Sequence, residues 1–131
     1  MNQQIEHYER KLQSEIDSAD LFDALKEGQE IIVIDARKKE GYAIEHIPGA
    51  MNLPHREMSE ESTANLDKSK QYITYCDGIG CNASTQGALK MAKLGFQVKE
   101  LIGGLDWWKR DGYSTEGTNA ITTDQKVRCY C

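Results

Sequence analysis

The sequence has no hydrophobic run that could span a bilayer, since no apolar stretch among its 131 residues approaches ~20 positions. It also has no excess of positive charge, because 16 lysines and arginines stand against 21 aspartates and glutamates, a net charge of −5. Membranes and nucleic acids are therefore not expected partners. The first residues, MNQQIEHYERK, lack the apolar centre of a signal peptide. We expect a cytoplasmic protein whose thiols stay reduced.

The sequence also lacks internal repeats, low-complexity segments and convincing metal-binding patterns. Neither His46 nor His55 has a metal-ligand neighbour three or four residues away. Cys129 and Cys131 are separated by one residue, which is shorter than the cysteine spacing of zinc sites. No metal and no organic cofactor is therefore predicted. The four cysteines favour redox or sulfur chemistry over a disulfide framework.

Residues 70–95 contain the most informative pattern, a strand followed by a short loop and a helix. Tyr72–Tyr75 is rich in β-branched and aromatic residues, which is typical of a strand. The helix is predicted to begin at Asn82, a favourable N-cap residue, and to end before Gly95. The loop between them consists of Cys76, Asp77, Gly78, Ile79, Gly80 and Cys81.

Cys76 lies where a strand ends and a helix is about to begin, and this position predicts a reactive thiol. Unpaired amides at a helix start and in a glycine-containing loop form a nest for an anion such as a thiolate. A cysteine in such a setting can have its pKa lowered from ~8.5 to roughly 3.5–7.5. The interpretation of Cys76 as a nucleophile is favoured over that of a buried, inert cysteine.

Strands and helices alternate along the rest of the chain, which predicts an α/β domain on a mostly parallel sheet. Ile31–Ile34 is a continuous β-branched run, which is typical of a strand covered on both faces. Asp35 and Arg37 follow that strand, and Arg37 is expected to pair with Asp35 or another carboxylate rather than to meet a substrate anion. The other predicted elements are a helix over 2–14, a strand around Ile16, a helix capped by Ser18, a strand over 50–53, a short helix over 57–63, a strand over 98–102 and a helix over 105–111.

Five motifs follow one another along the chain, namely Ile32-Val-Ile-Asp-Ala-Arg37, His46-Ile-Pro-Gly-Ala50, Tyr75-Cys76 with its loop, Leu101-Ile-Gly-Gly104, and Trp108. Together they resemble a rhodanese-like domain. The resemblance implies a three-layer α/β/α fold with a five-stranded, mostly parallel sheet flanked by helices. It divides the chain into an N-terminal helical extension over 1–14, the rhodanese-like domain over 15–115, and a polar tail over 116–131 with Cys129 and Cys131.

The resemblance also implies a function and its residues. Cys76 would carry sulfane sulfur as a persulfide, and the amides of residues 77–81 would cradle the terminal sulfur. Asp35 and Arg37 occupy the positions that brace the site, and Asn82 supports it as the helix cap. The implied activity is that of a sulfurtransferase, which moves sulfur from thiosulfate or a persulfide to a thiophilic acceptor.

The loop departs from the family pattern at two positions. Family members often carry a cation directly after the cysteine and another at the end of the loop, whereas this chain has Asp77 and Cys81 there. The charge of Asp77 is expected to oppose a lowered Cys76 pKa and to weaken thiosulfate binding. Cys81 either resolves the persulfide or fills a small buried slot, and the sequence leaves both open. Cys129 and Cys131 are either further resolving thiols or part of an inert tail.

Two other functions therefore remain open beside sulfur transfer. One is thiol–disulfide or reductase-type activity through Cys76 and Cys81, and the other is a sulfur-carrier or interaction module with little turnover. The expected partners are a small-molecule sulfur donor or acceptor, or the persulfide or thiol of another protein. The chain is expected to be a monomer or a weak dimer.

Overall fold

The computed structural model describes residues 2–120, and Cys129 and Cys131 lie outside the described residues. Helices and strands alternate along the described chain, as the sequence predicts. Their order is α1 (Asn2–Ser14), β1 (Glu15–Ile16), α2 (Ser18–Lys26), β2 (Ile31–Asp35), α3 (Lys39–Ile44), β3 (Met51–Asn52), a 3₁₀ helix (His55–Glu57), β4 (Gln71–Tyr75), α4 (Ala83–Lys93), β5 (Gln97–Leu101) and α5 (Gly104–Arg110).

The five strands form one parallel sheet in the order β1-β5-β4-β2-β3. The central strand β4 lies beside β2 in a register that pairs Ile31 with Gln71 and Asp35 with Tyr75. Both strands therefore end at the same edge of the sheet. The residues that follow them are brought together there, which is where ligands bind in open α/β sheets.

Helices cover both faces of the sheet, and the predicted three-layer α/β/α fold is confirmed. Alternate side chains of β2 enter different cores, since Val33 packs with residues of α2 and α5 whereas Ile34 packs with residues of α4. This double coverage explains why the strand is a continuous apolar run. Trp108 is buried in the first of these cores, whereas Trp107 is partly exposed.

The N-terminal helix α1 has the bounds that the sequence predicts, but it buries none of its residues. Its apolar residues Ile5, Tyr8 and Leu12 are all more than half exposed. None of the helices described in residues 2–120 combines the length and the apolar character needed to cross a bilayer.

Two local predictions were wrong, one of a helix cap and one of a short helix. Helix α2 is capped by Asp17, whose carboxylate accepts the N–H of Asp20 at 2.8 Å, while the expected cap Ser18 is buried in the first turn. The helix expected over 57–63 is replaced by the 3₁₀ helix and a series of turns. In those turns Ser59 and Ser62 exchange hydrogen bonds, since the backbone N–H of each donates to the hydroxyl of the other.

Candidate active site

Cys76 directly follows the central strand β4, and its side chain is almost completely buried, with 1% exposure. Its sulfur lies 3.0 Å from the carbonyl oxygen of Cys81 and 3.7 Å from that of Gly78. The hydroxyl oxygen of Ser84, in the first turn of α4, lies 3.6 Å from the same sulfur. The thiol can donate to these oxygens, so this loop conformation suits the neutral form of Cys76.

Burial is the largest influence on the Cys76 thiol, and it raises the pKa above the ordinary cysteine value. The Ser84 amide and hydroxyl and the Gly78 backbone act in the opposite direction, whereas the neighbouring Cys81 thiol raises the pKa further. The predicted lowering of the Cys76 pKa is therefore wrong for this conformation. The helix start does act on the sulfur, but burial outweighs it.

The loop from Asp77 to Asn82 differs from the predicted cradle of amides. Two of its carbonyl oxygens face the sulfur, and the Cys81 amide donates to the Gly78 carbonyl at 3.2 Å within a turn. Neither Gly78 nor Gly80 has a positive φ, and Ile79 at the tip is 81% exposed. Asn82 occupies the N-cap position of α4, but its exposed side chain makes no capping hydrogen bond, so its expected capping role is wrong.

The start of helix α5 binds the backbone of the loop that follows β4. The amides of Leu105 and Asp106 donate to the carbonyls of Cys76 and Asp77 at 2.9 and 2.8 Å. Gly104 has a positive φ, and a Cβ there would lie only 2.3 Å from the Cys76 carbonyl oxygen. The sequence indicates only a turn at this position. The structure shows that the glycine permits close contact with the loop.

Arg37 connects the end of β2 to the loop. Its guanidinium donates to both oxygens of Asp35, to the Glu45 carbonyl, and to Asp77 at 2.9 Å. Asp35 is fully buried, and the expected Arg37–Asp35 pairing is confirmed. Asp77 is also paired with Arg37, and the largest influences on the Cys76 pKa are burial and the hydrogen bonds of Ser84, Cys81 and Gly78.

Tyr75, one residue before Cys76, belongs to the same network, although the sequence identifies it only as a strand residue. Its hydroxyl donates to Asp35 at 2.8 Å and accepts the Ile47 amide at 3.0 Å. Burial, followed by the charge of Asp35, raises the Tyr75 pKa, so the phenol stays protonated. These contacts fix the backbone that carries Cys76.

A second polar chain reaches the sulfur from α4 and β5. Ser84 donates to a carboxylate oxygen of Glu100 at 3.3 Å, and Thr85 donates to the same oxygen at 2.8 Å. Ser84 is therefore held between the Cys76 sulfur and a carboxylate. Neither Ser84 nor Glu100 could be assigned to the site from the sequence, because no motif links a residue of α4 to one of β5.

A cleft of about 470 Å³ lies beside the loop. Cys81 is partly exposed and lines this cleft, whereas Cys76 is buried and is not among the residues that line it. Within residues 2–120, no group of three or more histidine, cysteine or acidic side chains is arranged to hold a metal ion. The remaining residues that line the cleft are Ala36, Arg37, Lys38, Gly41, Pro54, His55, Arg56, Glu57, Asp77 and Ala83.

Comparison with known proteins finds the same family over most of the chain. The Rhodanese-like domain family matches residues 18–111. The thiosulfate sulfurtransferase GlpE of Coxiella burnetii is 34% identical over 83 residues, which cover 62% of this chain and 74% of GlpE. The crystal structure of the BH2092 protein from Bacillus halodurans superposes with a TM-score of 0.87 at 45% identity, covering 91% of this chain and 88% of that protein.

Another relative is a transcriptional regulator that is longer than this chain. The HTH-type transcriptional regulator Rv0324 of Mycobacterium tuberculosis is 31% identical over 87 residues, which is 66% of this chain. The match spans only 38% of the regulator's length. The similarity therefore concerns one part of that protein.

Proposed function

Because the chain belongs to the rhodanese-like domain family, we propose that it is a sulfurtransferase in which Cys76 carries the transferred sulfur. The observation that carries this proposal is the position of Cys76 at the end of the central strand, where its sulfur contacts the loop and Ser84 and its backbone is held by the start of α5. Relatives named thiosulfate sulfurtransferase support the same chemistry.

The proposed reaction has two steps. The Cys76 thiol first loses its proton, and the thiolate attacks the outer sulfur of a donor persulfide, whose sulfur–sulfur bond breaks. Cys76 then carries a persulfide, and the donor leaves as a thiolate. An acceptor thiolate attacks the terminal sulfur in the second step, which gives an acceptor persulfide and regenerates the Cys76 thiolate. Neither step requires a metal or an organic cofactor.

The charges around the loop favour a persulfide over thiosulfate as the donor. Asp77 occupies the guanidinium edge of Arg37 that faces the loop, so this cation is already neutralised. The loop itself contributes no positive side chain. A dianion such as thiosulfate therefore finds little compensation next to Cys76. The physiological donor is proposed to be a small-molecule persulfide or the persulfide of a partner protein.

Intact-protein mass spectrometry tests the proposed function. Reduced wild type, Cys76→Ser and Cys81→Ser are mixed separately with glutathione persulfide and with thiosulfate. We expect a gain of one sulfur atom in wild type and in Cys81→Ser, and none in Cys76→Ser. A gain that survives in Cys76→Ser after Cys129 and Cys131 are also replaced by serine would overturn the assignment of Cys76.

A redox couple between Cys76 and Cys81 is the second candidate function. It is supported by the 3.0 Å contact of the Cys76 sulfur with the Cys81 carbonyl, by the influence of the Cys81 side chain on the Cys76 pKa, and by the partial exposure of Cys81. In this case, the same experiment would show a loss of two hydrogens without retained sulfur. Either single substitution, Cys76→Ser or Cys81→Ser, would abolish that loss.

A further inference from the structure

The cleft beside the loop carries positive charge that no residue of 2–120 neutralises. Three cations and two carboxylates line it, and Arg37 is already paired with Asp35 and Asp77. Lys38 and Arg56 remain, and neither forms an ion pair with any residue that the structure describes. Glu57 is the remaining carboxylate on the cleft wall. Two cations without an ion pair, Lys38 and Arg56, thus face the cleft on a chain whose net charge is −5.

His55 lines this cleft but is uncharged at neutral pH. Burial, followed by the charges of Lys90 and Arg56, lowers the His55 pKa below its ordinary value. Lys90 also donates to the His55 carbonyl at 2.8 Å, which ties the 3₁₀ helix to α4. The attraction for an anion therefore comes from Lys38 and Arg56, and the tie to α4 holds this wall of the cleft in place.

The size and lining of the cleft suit an organic molecule. Its volume of about 470 Å³ falls within the ~300–1,000 Å³ of pockets that enclose small organic ligands. Apolar surface from Ala36, Pro54 and Ala83 lines it together with the charged groups. A small inorganic anion would leave most of this volume and all of this apolar surface without contact.

The position of Cys81 indicates which reactive group such a molecule would carry. Cys81 lines the cleft, and its carbonyl contacts the buried sulfur of Cys76, so the cleft and the loop share a wall. A carboxylate held by Lys38 and Arg56 would leave the thiol end of the same molecule beside the loop. We infer that this cleft binds a low-molecular-weight thiol or persulfide that carries carboxylates, and that Lys38 and Arg56 recognise those carboxylates. This inference rests on the proposed function for its place in the reaction.

Binding of S-methylglutathione, an unreactive carboxylate-bearing thioether, tests the site without any turnover. Calorimetric titration would compare wild type, Lys38→Gln/Arg56→Gln, and the control Lys39→Gln/Lys26→Gln, which removes the same charge from exposed positions outside the cleft. We expect about tenfold weaker binding in the cleft variant, since each exposed charge pair contributes a few-fold, and unchanged binding in the control. No binding to wild type, or equal binding to the cleft variant and the control, would overturn the inference.

Sulfur loading then separates this inference from the proposed function. With glutathione persulfide as donor, the cleft variant should load Cys76 about tenfold more slowly than the control at low donor concentration, and loading from thiosulfate should change less than twofold. Equal loading rates from glutathione persulfide would overturn the inference while leaving the sulfurtransferase proposal intact. If wild type binds S-methylglutathione but gains no sulfur from either donor, the proposed function is overturned, whereas the inference that the cleft is a binding site stands.

Discussion

At the scale of single residues, the surroundings of Cys76 favour a protonated thiol. Two carbonyl oxygens and one hydroxyl lie within hydrogen-bonding range of the sulfur, and the side chain is buried. A persulfide anion in the same place would meet those carbonyl oxygens. Formation of the proposed intermediate therefore requires the loop carbonyls of Gly78 and Cys81 to turn away from the sulfur.

The raised Cys76 pKa predicts an unusual pH profile for the reaction of this thiol. Because only the thiolate reacts, the alkylation rate should still be rising at pH values where an ordinary thiol, with a pKa near ~8.5, has levelled off. Iodoacetamide rates at Cys76, followed by peptide mass spectrometry with free glutathione as reference, measure this. The prediction is contradicted if the alkylation rate of Cys76 levels off at a pH below the midpoint of the pH–rate curve of glutathione.

Ser84 supplies one of the groups that lower the Cys76 pKa, and this predicts the effect of removing its hydroxyl. In Ser84→Ala the Cys76 sulfur loses the neighbouring hydroxyl that lowers its pKa, so the thiolate fraction falls and alkylation of Cys76 at pH 8 should slow by about two- to fivefold. Thr85→Val is the matched control, because the Thr85 hydroxyl contacts the same Glu100 oxygen and makes no described contact with Cys76. Equal slowing in both variants would assign the effect to Glu100 instead.

At the scale of secondary-structure elements, the loop is positioned by its neighbours more than by its own glycines. Helix α5 donates two amides to the backbone at Cys76 and Asp77, and Arg37 binds the Asp77 side chain from the end of β2. Gly78 and Gly80 have ordinary φ values, whereas the positive φ occurs at Gly103 and Gly104. The glycines that the loop depends on thus belong to the next strand–helix connection.

Alanine at Gly104 should strongly destabilise the protein, whereas alanine at Gly80 should have almost no effect. Gly104→Ala places a Cβ 2.3 Å from the Cys76 carbonyl oxygen in a left-handed conformation, and we expect it to lower the free energy of unfolding by about 3 kcal/mol or more. Gly80→Ala meets no atom within 4 Å and should change the free energy by less than ~0.5 kcal/mol. Urea denaturation measures both, and a stable Gly104→Ala variant would show that α5 can move away from the loop.

At the scale of the whole molecule, a buried carboxylate joins the site to the C-terminal part of the described chain. Glu45 accepts hydrogen bonds from Lys109 of α5 at 2.8 Å and from Thr115 at 2.7 Å, and its carbonyl accepts one from Arg37. Burial by itself would raise the Glu45 pKa, but the hydrogen bonds from Lys109 and Thr115 outweigh it and lower the pKa. Through Glu45, the hydrogen bonds of Arg37 are thus connected to α5 and to the segment after it.

Removing the lysine partner of Glu45 should destabilise the molecule in a pH-dependent way. Lys109→Met leaves a buried carboxylate with one partner fewer, and we expect a loss of about 1–3 kcal/mol at pH 7, reduced by the partial exposure of Lys109. Because the Glu45 pKa is lowered on folding, its contribution is fully present above the unfolded value near ~4.3 and is lost as the pH falls through the folded pKa. The difference from wild type should therefore vanish in acid.

Thermal unfolding between pH 3 and 7 would measure this dependence, with Lys26→Met as the control because Lys26 is exposed at the end of α2. The control should match wild type at every pH. A Lys109→Met difference that persists undiminished at pH 3 would show that lost packing, rather than the charge of Glu45, causes the effect.

Much of the fold and the position of Cys76 follow from local sequence patterns. The apolar runs at β2 and β4 predict central parallel strands because strands covered on both faces need apolar side chains throughout. Asp35 and Arg37 are close in sequence, so their pairing could also be predicted. The helix caps were less certain, since Asp17 competes with Ser18, and Asn82 occupies a cap position without using its side chain.

Sequence alone determined the α/β class, the strand–loop–helix unit and the cysteine that lies within it, because these depend on residues within a few positions of one another. Only the tertiary structure decided the direction of the Cys76 pKa shift, the pairing of Asp77 with Arg37, and the meeting of Ser84 with Glu100. The same holds for the cleft that joins Lys38 to Arg56. Burial and charge compensation depend on groups that are distant in the chain, and folding alone brings them to the same edge of the sheet.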